Sequence, residues 1–159
     1  MLEVLYLRSM SGDHAFQPYD ASHRAFCLGV FDANCPEFFA PNERADYAAF
    51  LDRIGERYTL CLAGGRVVGA FGVSPGAAAH EAHLNWIMVD PESQGAGVGR
   101  AILQETRRRA LESGGTLVRI AASHRSAPFF ARFGARQVAY AENGWGLQMH
   151  RVDMEWLLG

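Results

Sequence analysis

The sequence predicts an α/β domain of the α+β type: a mixed, mostly antiparallel central sheet of about seven strands flanked by about four helices. Three observations lead there. Strand-like segments at residues 58–63, 66–73 and 82–89 follow one another in mid-chain, the first two joined by Gly64-Gly65. Adjacent glycines accept the positive φ angles that a tight hairpin demands. Segments with apolar residues at helical spacing stand before and after this run, which puts helices on both sides of the sheet. Finally, the 159 residues are 49% hydrophobic and 20% charged, the balance of one soluble domain, and show no repeat, linker or low-complexity stretch.

Taken in order, residues 2–8 read as a first strand. After a loop around Gly12 and Pro18, Asp20 is placed to cap a helix carrying Ala25, Phe26 and Val30. Pro36 and Pro41 break the chain; residues 42–54 then repeat Ala45, Ala48, Ala49, Leu51 and Ile54 as a second amphipathic helix. The hairpin and the strand 82–89 follow. Residues 99–112 form a helix with Ile102, Leu103, Thr106 and Ala110 on one face, closed by Gly114-Gly115. Residues 116–122 are β-branched and apolar and read as a buried strand; 127–133 are a short helix ended by Gly134; 137–141 and 147–156 are closing strands.

Composition narrows the partners. A net charge of −2 and a pI near 6.3 give no general attraction to nucleic acid or an anionic membrane. No run approaches the ~18 apolar residues of a bilayer span, and the start of the chain lacks a basic segment followed by an apolar one. Cys27, Cys35 and Cys61 have no CxxC or CxxH spacing, so neither a disulfide framework nor a metal site is expected, and a cytoplasmic location fits best. A chain of this size buries roughly 68–70% of its unfolded surface and needs no such staple.

The informative segment runs from Val89 through Asp90, Pro91, Glu92, Ser93, Gln94, Gly95, Ala96, Gly97 and Val98 to Gly99. A strand ends there and a helix begins within a glycine-rich turn. Glycines let the backbone turn sharply and let a ligand approach it closely. The first N–H groups of a helix have no internal partners, and the peptide dipoles add positive charge, so a pyrophosphate would satisfy both. No Gly-Lys-Ser/Thr follows, which excludes a Walker loop, and the glycine intervals are wrong for a Rossmann turn.

The pattern Val89-x-Pro91-x-x-Gln94-x-x-Gly97-x-Gly99 resembles the acetyl-CoA signature of the GNAT superfamily of N-acyltransferases, and the order of elements is similar to its fold over essentially the whole chain. The resemblance implies acetyl-CoA as cosubstrate. The N–H groups of Gln94, Gly95, Ala96, Gly97, Val98 and Gly99 would hold its pyrophosphate. The Val89 backbone would pair with the pantetheine arm in the splay between its strand and the one starting at Thr116. Arg100 and the Arg107-Arg108-Arg109 run would add positive charge near the 3′-phosphate, or the run is a solvated helix face.

Acylating an amine needs a neutral nitrogen, hence a base, and histidine suits that task near neutral pH. Period-2 alternation puts His83, Asn85, Ile87 and Val89 on one face of the strand. The superfamily often places Glu or His six residues before the signature valine, where His83 stands, and Ala82-His83-Leu84-Asn85 is similar to the corresponding segment of serotonin N-acetyltransferases. Glu81 is the reserve base. The resemblance also breaks down in places. Phe130 stands where many members have a tyrosine that protonates the leaving thiolate, Ser123 where an asparagine is common, and Ala135 where an aromatic residue is usual. A phenyl ring cannot donate a proton. Ser126, His124 or Tyr140 would have to substitute, or solvent would, although Ser126 also suits a helix cap and Tyr140 packing on the sheet.

The expected function is transfer of an acetyl group to a primary amine, on a small molecule or a peptide terminus, by direct attack in a ternary complex. The alternative is a non-catalytic acyl-CoA-binding sensor or regulatory module. Phe31, Phe38, Phe39 and Trp86 are candidates to line the acceptor pocket, and Asp32, Glu37 and Glu43 to attract a cationic amine. Residues 147–156 offer a strand that could pair across a two-fold axis in a homodimer.

Overall fold

The computed structural model describes residues 9–11 and 13–159, with side chains from residue 13 on. The strand expected at residues 2–8 lies outside the described residues. Eight strands and four α-helices alternate as β1 (Ser9–Ser11), β2 (His14–Pro18), α1 (Arg24–Ala33), α2 (Glu43–Ile54), β3 (Tyr58–Ala63), β4 (Arg66–Pro75), β5 (Glu81–Val89), α3 (Val98–Glu112), β6 (Leu117–Ser123), α4 (Ala127–Ala131), β7 (Arg136–Gly146) and β8 (Met149–Leu157). They form one sheet in the order β1-β2-β3-β4-β5-β6-β8-β7. Every neighbouring pair is antiparallel except β5 and β6. The mixed, mostly antiparallel α+β class is thus as expected, with the β1–β2 hairpin where the sequence suggested a loop. Asp20 does act as a cap, accepting from the Ser22 N–H at 2.8 Å, but on a short 3-10 turn, Ala21–His23, that feeds α1.

Each face of the sheet carries its own core. On one side α3 buries Val98, Ala101, Ile102, Leu103, Thr106 and Ala110. Fully burying one such aliphatic side chain contributes about 1.5–3 kcal/mol. A Cβ at Gly69 would stand 2.7 Å from the Met88 carbonyl oxygen and 3.2 Å from a Val98 methyl, so glycine is what lets α3 lie this close to the sheet. On the other side α1 and α2 pack Cys27, Phe31, Tyr47, Phe50 and Leu51 on β3, β4 and β5. The expected α2 stripe is corrected here. Ala45 and Ala49 are exposed, and the buried face belongs to Tyr47, Phe50 and Leu51, because large aromatic surfaces outweigh alanine methyls in the competition for burial.

Three further expectations change. The arginine run does not line the cavity at the glycine turn; Arg107 and Arg108 are exposed, as on a solvated helix face, yet all three are bonded. Arg107 donates to the Leu158 carbonyl at 2.9 Å, Arg108 and Arg109 each approach the buried Glu105 carboxylate to 2.8 Å, and Arg109 also reaches the Thr59 hydroxyl at 2.6 Å. Arg109 thus ties α3 to β3 and Arg107 ties it to the segment after β8, whereas Arg108 pairs with Glu105 and Glu112 of the helix itself. β8 cannot pair across a two-fold axis, since β6 and β7 occupy both of its edges. Finally, the strand alternation of β5 is interrupted. Its pairing with β4 steps from Gly72↔Asn85 to Ala70↔Met88, which leaves an extra residue in β5, and Trp86 sits there with φ +44°. Such a bulge reverses the side-chain parity beyond it. Ala82 and Leu84 join the α3 core and so do Ile87 and Val89, whereas Trp86 and Met88 face α1 and α2. His83 and Asn85 therefore do not share a face with Ile87 and Val89.

Candidate active site

β5 and β6 are held in parallel over only four residue pairs, Glu81↔Leu117 to Leu84↔Ile120. Beyond them the strands diverge, and a cavity of about 700 Å³ opens between Asn85–Val89 on one rim and Ala121–Ser123 on the other. Asp90 N–H donates to the Val68 carbonyl at 2.9 Å, so the polar groups of Val89 face the opposite way, into the divergence. The Asn34 side-chain amide, buried at the end of α1, donates to the Val89 carbonyl at 3.0 Å and to Val30 at 2.9 Å. It leaves the Val89 N–H directed into the splay, the edge the sequence reading assigned to the pantetheine arm.

The glycine turn closes one end of the cavity. The Asp90 carboxylate accepts from the Glu92 N–H at 3.0 Å and starts a 3-10 turn, Pro91–Ser93, that ends the strand. Within it Gln94 N–H donates to Pro91 and Ala96 N–H to Ser93, both at 3.2 Å. Those two amides, counted among the expected phosphate ligands, are spent internally, and Ala96 does not line the cavity. The N–H groups of Gly95, Gly97, Val98, Gly99 and Arg100 have no partner among the described residues. Gly95 and Gly97 adopt φ +84° and +81°, left-handed values that favour glycine. Gly99 is required for a different reason: a Cβ there would stand 2.7 Å from the Phe129 ring of α4. Five unpartnered amides at and just before the start of a 15-residue helix are donors of the kind that suit an anion. Arg100, Arg125 and Arg132 are exposed residues of the cavity lining, the last two with no sequence signal pointing to them; Arg132 stacks on Phe129, the ring that stands against Gly99.

The far rim is built by Ser123 and Ser126. Ser126 N–H donates to Ser123 Oγ and Ser123 N–H to Ser126 Oγ, both at 3.1 Å. Ser126 therefore ties back to Ser123 and makes no cap bond into α4. Both serines and the buried Phe130 line the cavity, as do Phe129 and Pro128. Of the three candidates to replace the missing tyrosine, only Ser126 is on the wall. His124 accepts from the His150 N–H at 3.1 Å outside it, and Tyr140 lies exposed on β7 instead of packing on the sheet.

The other end of the cavity is formed by the connection between α1 and α2, the β5 bulge and the β7–β8 hairpin. Phe38, Phe39 and Trp86 line it as anticipated; Phe31 is buried behind Phe39, its ring stacked 5.0 Å away. Trp145, which the sequence reading missed, donates its indole N–H to the Ala122 carbonyl at 2.8 Å, while its own carbonyl accepts from Asn42 at 2.8 Å. The bulge is held by buried tyrosines: the Tyr58 hydroxyl donates to the Trp86 carbonyl at 2.6 Å and pairs with the Tyr47 hydroxyl at 2.9 Å. Glu43 is buried on this wall, its Oε2 accepting from the Ala40 N–H at 2.7 Å. Burial pushes its carboxyl from 4.5 up to about 7. Asp32 is instead ion-paired to Arg44 at 2.7 Å, and Glu37 is exposed and off the wall.

Neither predicted base lines the cavity. Glu81 is bound by Arg119 at 2.9 Å, which holds its carboxyl below the ordinary value. His83 is half-buried on the still-zipped part of β5, opposite Ser74 and Arg119 and two residues behind the cavity-lining Asn85.

No helix among the described residues is long and apolar enough to cross a membrane, and they contain no cluster of metal-ligating side chains. No curated protein matches the sequence. Among solved structures, a GNAT-family protein from Desulfovibrio desulfuricans superposes with a TM-score of 0.75 at 21% identity, over 92% of this chain and 99% of that one. YncA from Salmonella typhimurium, solved with its cofactor acetyl-CoA, gives 0.66 at 13%, over 93% and 95%. The ribosomal-protein-S18-alanine N-acetyltransferase of Escherichia coli gives 0.67 at 18%, over 92% and 94%. At these identities the likeness is one of fold. The model of the acetyltransferase (GNAT) family matches residues 27–135, more than half of the sequence, from within α1 to just past α4, and the chain belongs to that family.

Proposed function

We propose that the protein is an N-acetyltransferase that moves the acetyl group of acetyl-CoA to a primary amine by direct attack in a ternary complex. The carrying observation is that five free amides at the start of α3 and the open rim of β5 share one cavity, with arginines at one end and aromatic side chains at the other. A pyrophosphate suits the amides and arginines. An extended amide-bearing arm suits the unpaired edge between β5 and β6, which leaves the aromatic end for the acceptor.

In the reaction the amine nitrogen forms a bond to the thioester carbonyl carbon and the carbon–sulfur bond breaks with its electron pair going to sulfur. One proton must leave the ammonium before attack, and the nitrogen's second proton goes to the departing thiolate. Ser126 is the hydroxyl on the wall able to pass that second proton, with Ser123 orienting it at 3.1 Å. His83, the base expected from the strand, can act only through water past Asn85. The three cysteines are all free, which fits a reducing, cytoplasmic setting. A homodimer could not pair through β8, which is enclosed between β6 and β7.

A second reading, acyl-CoA binding without turnover, draws on Phe130, a buried ring without a proton where many family members carry a tyrosine. Titration calorimetry with acetyl-CoA, followed by a thiol-release screen of amines, separates the two. Binding with amine-dependent thiol release supports the enzyme; binding with none supports the sensor; no binding removes both. Acetyl-CoA at about 100 times its Kd should stabilise the fold by about 2.7 kcal/mol.

A further inference from the structure

Among the described residues lining the acceptor end, Glu43 supplies a carboxylate and no arginine or lysine lines it; Arg151 stacks on Trp145, 4.9 Å from its ring, and is already paired to Asp153 at 2.8 Å. The lining arginines, Arg100, Arg125 and Arg132, stand at the start of α3 and around α4, while Phe38, Phe39, Trp86 and Trp145 surround Glu43's end. Glu43 has a structural task, since its Oε2 takes the Ala40 N–H at 2.7 Å and its own N–H returns to the Ala40 carbonyl at 3.0 Å. That task uses one oxygen. Oε1 makes no hydrogen bond among the described residues and is not sealed in, because Glu43 lines the cavity. The nearby charges do not neutralise it. Asp46, one turn along α2, adds negative charge, Arg44 is taken by Asp32, and the Cys35 thiol beside the helix start is itself pushed up by burial and by Asp32 and Glu43. A capping glutamate whose free oxygen faces an aromatic-lined cavity is suited to an ammonium group, which it attracts by charge while the rings attract it through their faces.

This step rests on the acetyl-transfer reading above. We propose that Glu43 is the catalytic residue of the acceptor site: it holds the ammonium of an apolar primary amine against the aromatic wall and takes its proton, and the acceptor bears no carboxylate beside that nitrogen. The proton passes from the ammonium to Oε1. The freed lone pair then forms the nitrogen–carbon bond, the carbon–sulfur bond breaks toward sulfur, the second nitrogen proton goes to the thiolate, and Glu43 returns its proton to solvent. A carboxyl raised to about 7 holds a proton near neutral pH far better than an ordinary one, which suits a base. An α-amino acid would bring its own carboxylate next to Glu43, where the nearby Arg151 is already paired to Asp153 and no lining arginine stands to receive it.

The test uses 2-phenylethylamine and phenylalanine as acceptors and Glu43→Gln as the variant, which keeps the oxygen that accepts from Ala40. Wild type should acetylate the amine at least about 100-fold more efficiently than the amino acid. Glu43→Gln should lose about 100-fold or more in kcat/KM and the acid limb of its pH profile near 7. Acetyl-CoA affinity by calorimetry should stay the same in both. On CoA-loaded protein, the thermal shift caused by 2-phenylethylamine should weaken in the variant. Failure of wild type to bind acetyl-CoA sinks the acetyl-transfer reading itself. Normal acetyl-CoA binding overturns the Glu43 assignment alone if Glu43→Gln turns over as well as wild type, if phenylalanine is as good a substrate, or if no amine is acetylated.

Discussion

Replacing Glu43 by glutamine removes a charge and little else, and the consequence for stability can be worked out without any ligand. The carboxyl titrates at about 7 in the folded protein against 4.5 ordinarily, because burial disfavours the anion. A folded-state value above the unfolded one means that the folded protein binds more protons between the two, so stability falls as pH rises through that window. At about 1.4 kcal/mol per pH unit, the wild type loses about 3 kcal/mol between pH 4.5 and 7 through this group. Glutamine does not titrate and loses none of it, although its neutral oxygen accepts from the Ala40 N–H less strongly, an offset of about 1 kcal/mol. The variant should therefore match or slightly trail wild type at pH 4.5 and exceed it by about 2 kcal/mol at pH 8. For a chain of this length that is roughly 4–8 °C in Tm. Paired melting curves in steps of half a pH unit read it directly, and the carboxylates that Arg44 and Arg119 stabilise cancel in the difference. A Tm difference that stays flat from pH 4.5 to 8 would refute the burial argument and with it the physical basis for Glu43 as a base.

Gly99→Ala should lower stability by about 1–3 kcal/mol through overpacking against Phe129, partly offset by alanine's better helix propensity, and Phe129→Leu in the same chain should restore it; thermal melting checks both. Asn34→Leu removes the two bonds to Val30 and Val89, orphans a carbonyl on the cavity rim, and should cost about 1–3 kcal/mol by urea unfolding together with weaker acetyl-CoA binding. Arg125→Ala should weaken acetyl-CoA binding about 3- to 10-fold at low ionic strength, and the difference should shrink at about 0.5 M salt, where exposed charges are screened.

Much of the architecture is legible because it is written locally. The Gly64-Gly65 hairpin, the apolar face of α3 and the glycine turn each depend on residues within one or two elements, and each stands where the pattern put it. What the pattern missed depends on distant partners. At the β5 bulge the Tyr58 hydroxyl, on another strand, donates to the Trp86 carbonyl at 2.6 Å. No alternation rule contains that bond, and the parity argument for His83 failed with it. Asn34 and Trp145 reach the cavity rims through side-chain bonds spanning 55 and 23 positions in sequence. Glu43 carried a faint signal, an acidic residue in the first turn of a helix, but without a serine or threonine three positions earlier it looked like one surface carboxylate among several. Its burial follows only from Ala40 folding back on it.

The short parallel zipper between β5 and β6 has a consequence for water. Past Leu84 and Ile120 two strand rims present peptide groups with no opposite number across the gap, and such groups tolerate neither dryness nor an oily neighbour. Side chains satisfy the Trp86, Val89 and Ala122 carbonyls, and the remaining rim groups need water until something with matching amides lies in the notch. Whatever molecule settles there must displace the water solvating those groups, so its docking should carry a negative heat-capacity change where apolar parts are covered and little net enthalpy where one set of amide bonds merely replaces another.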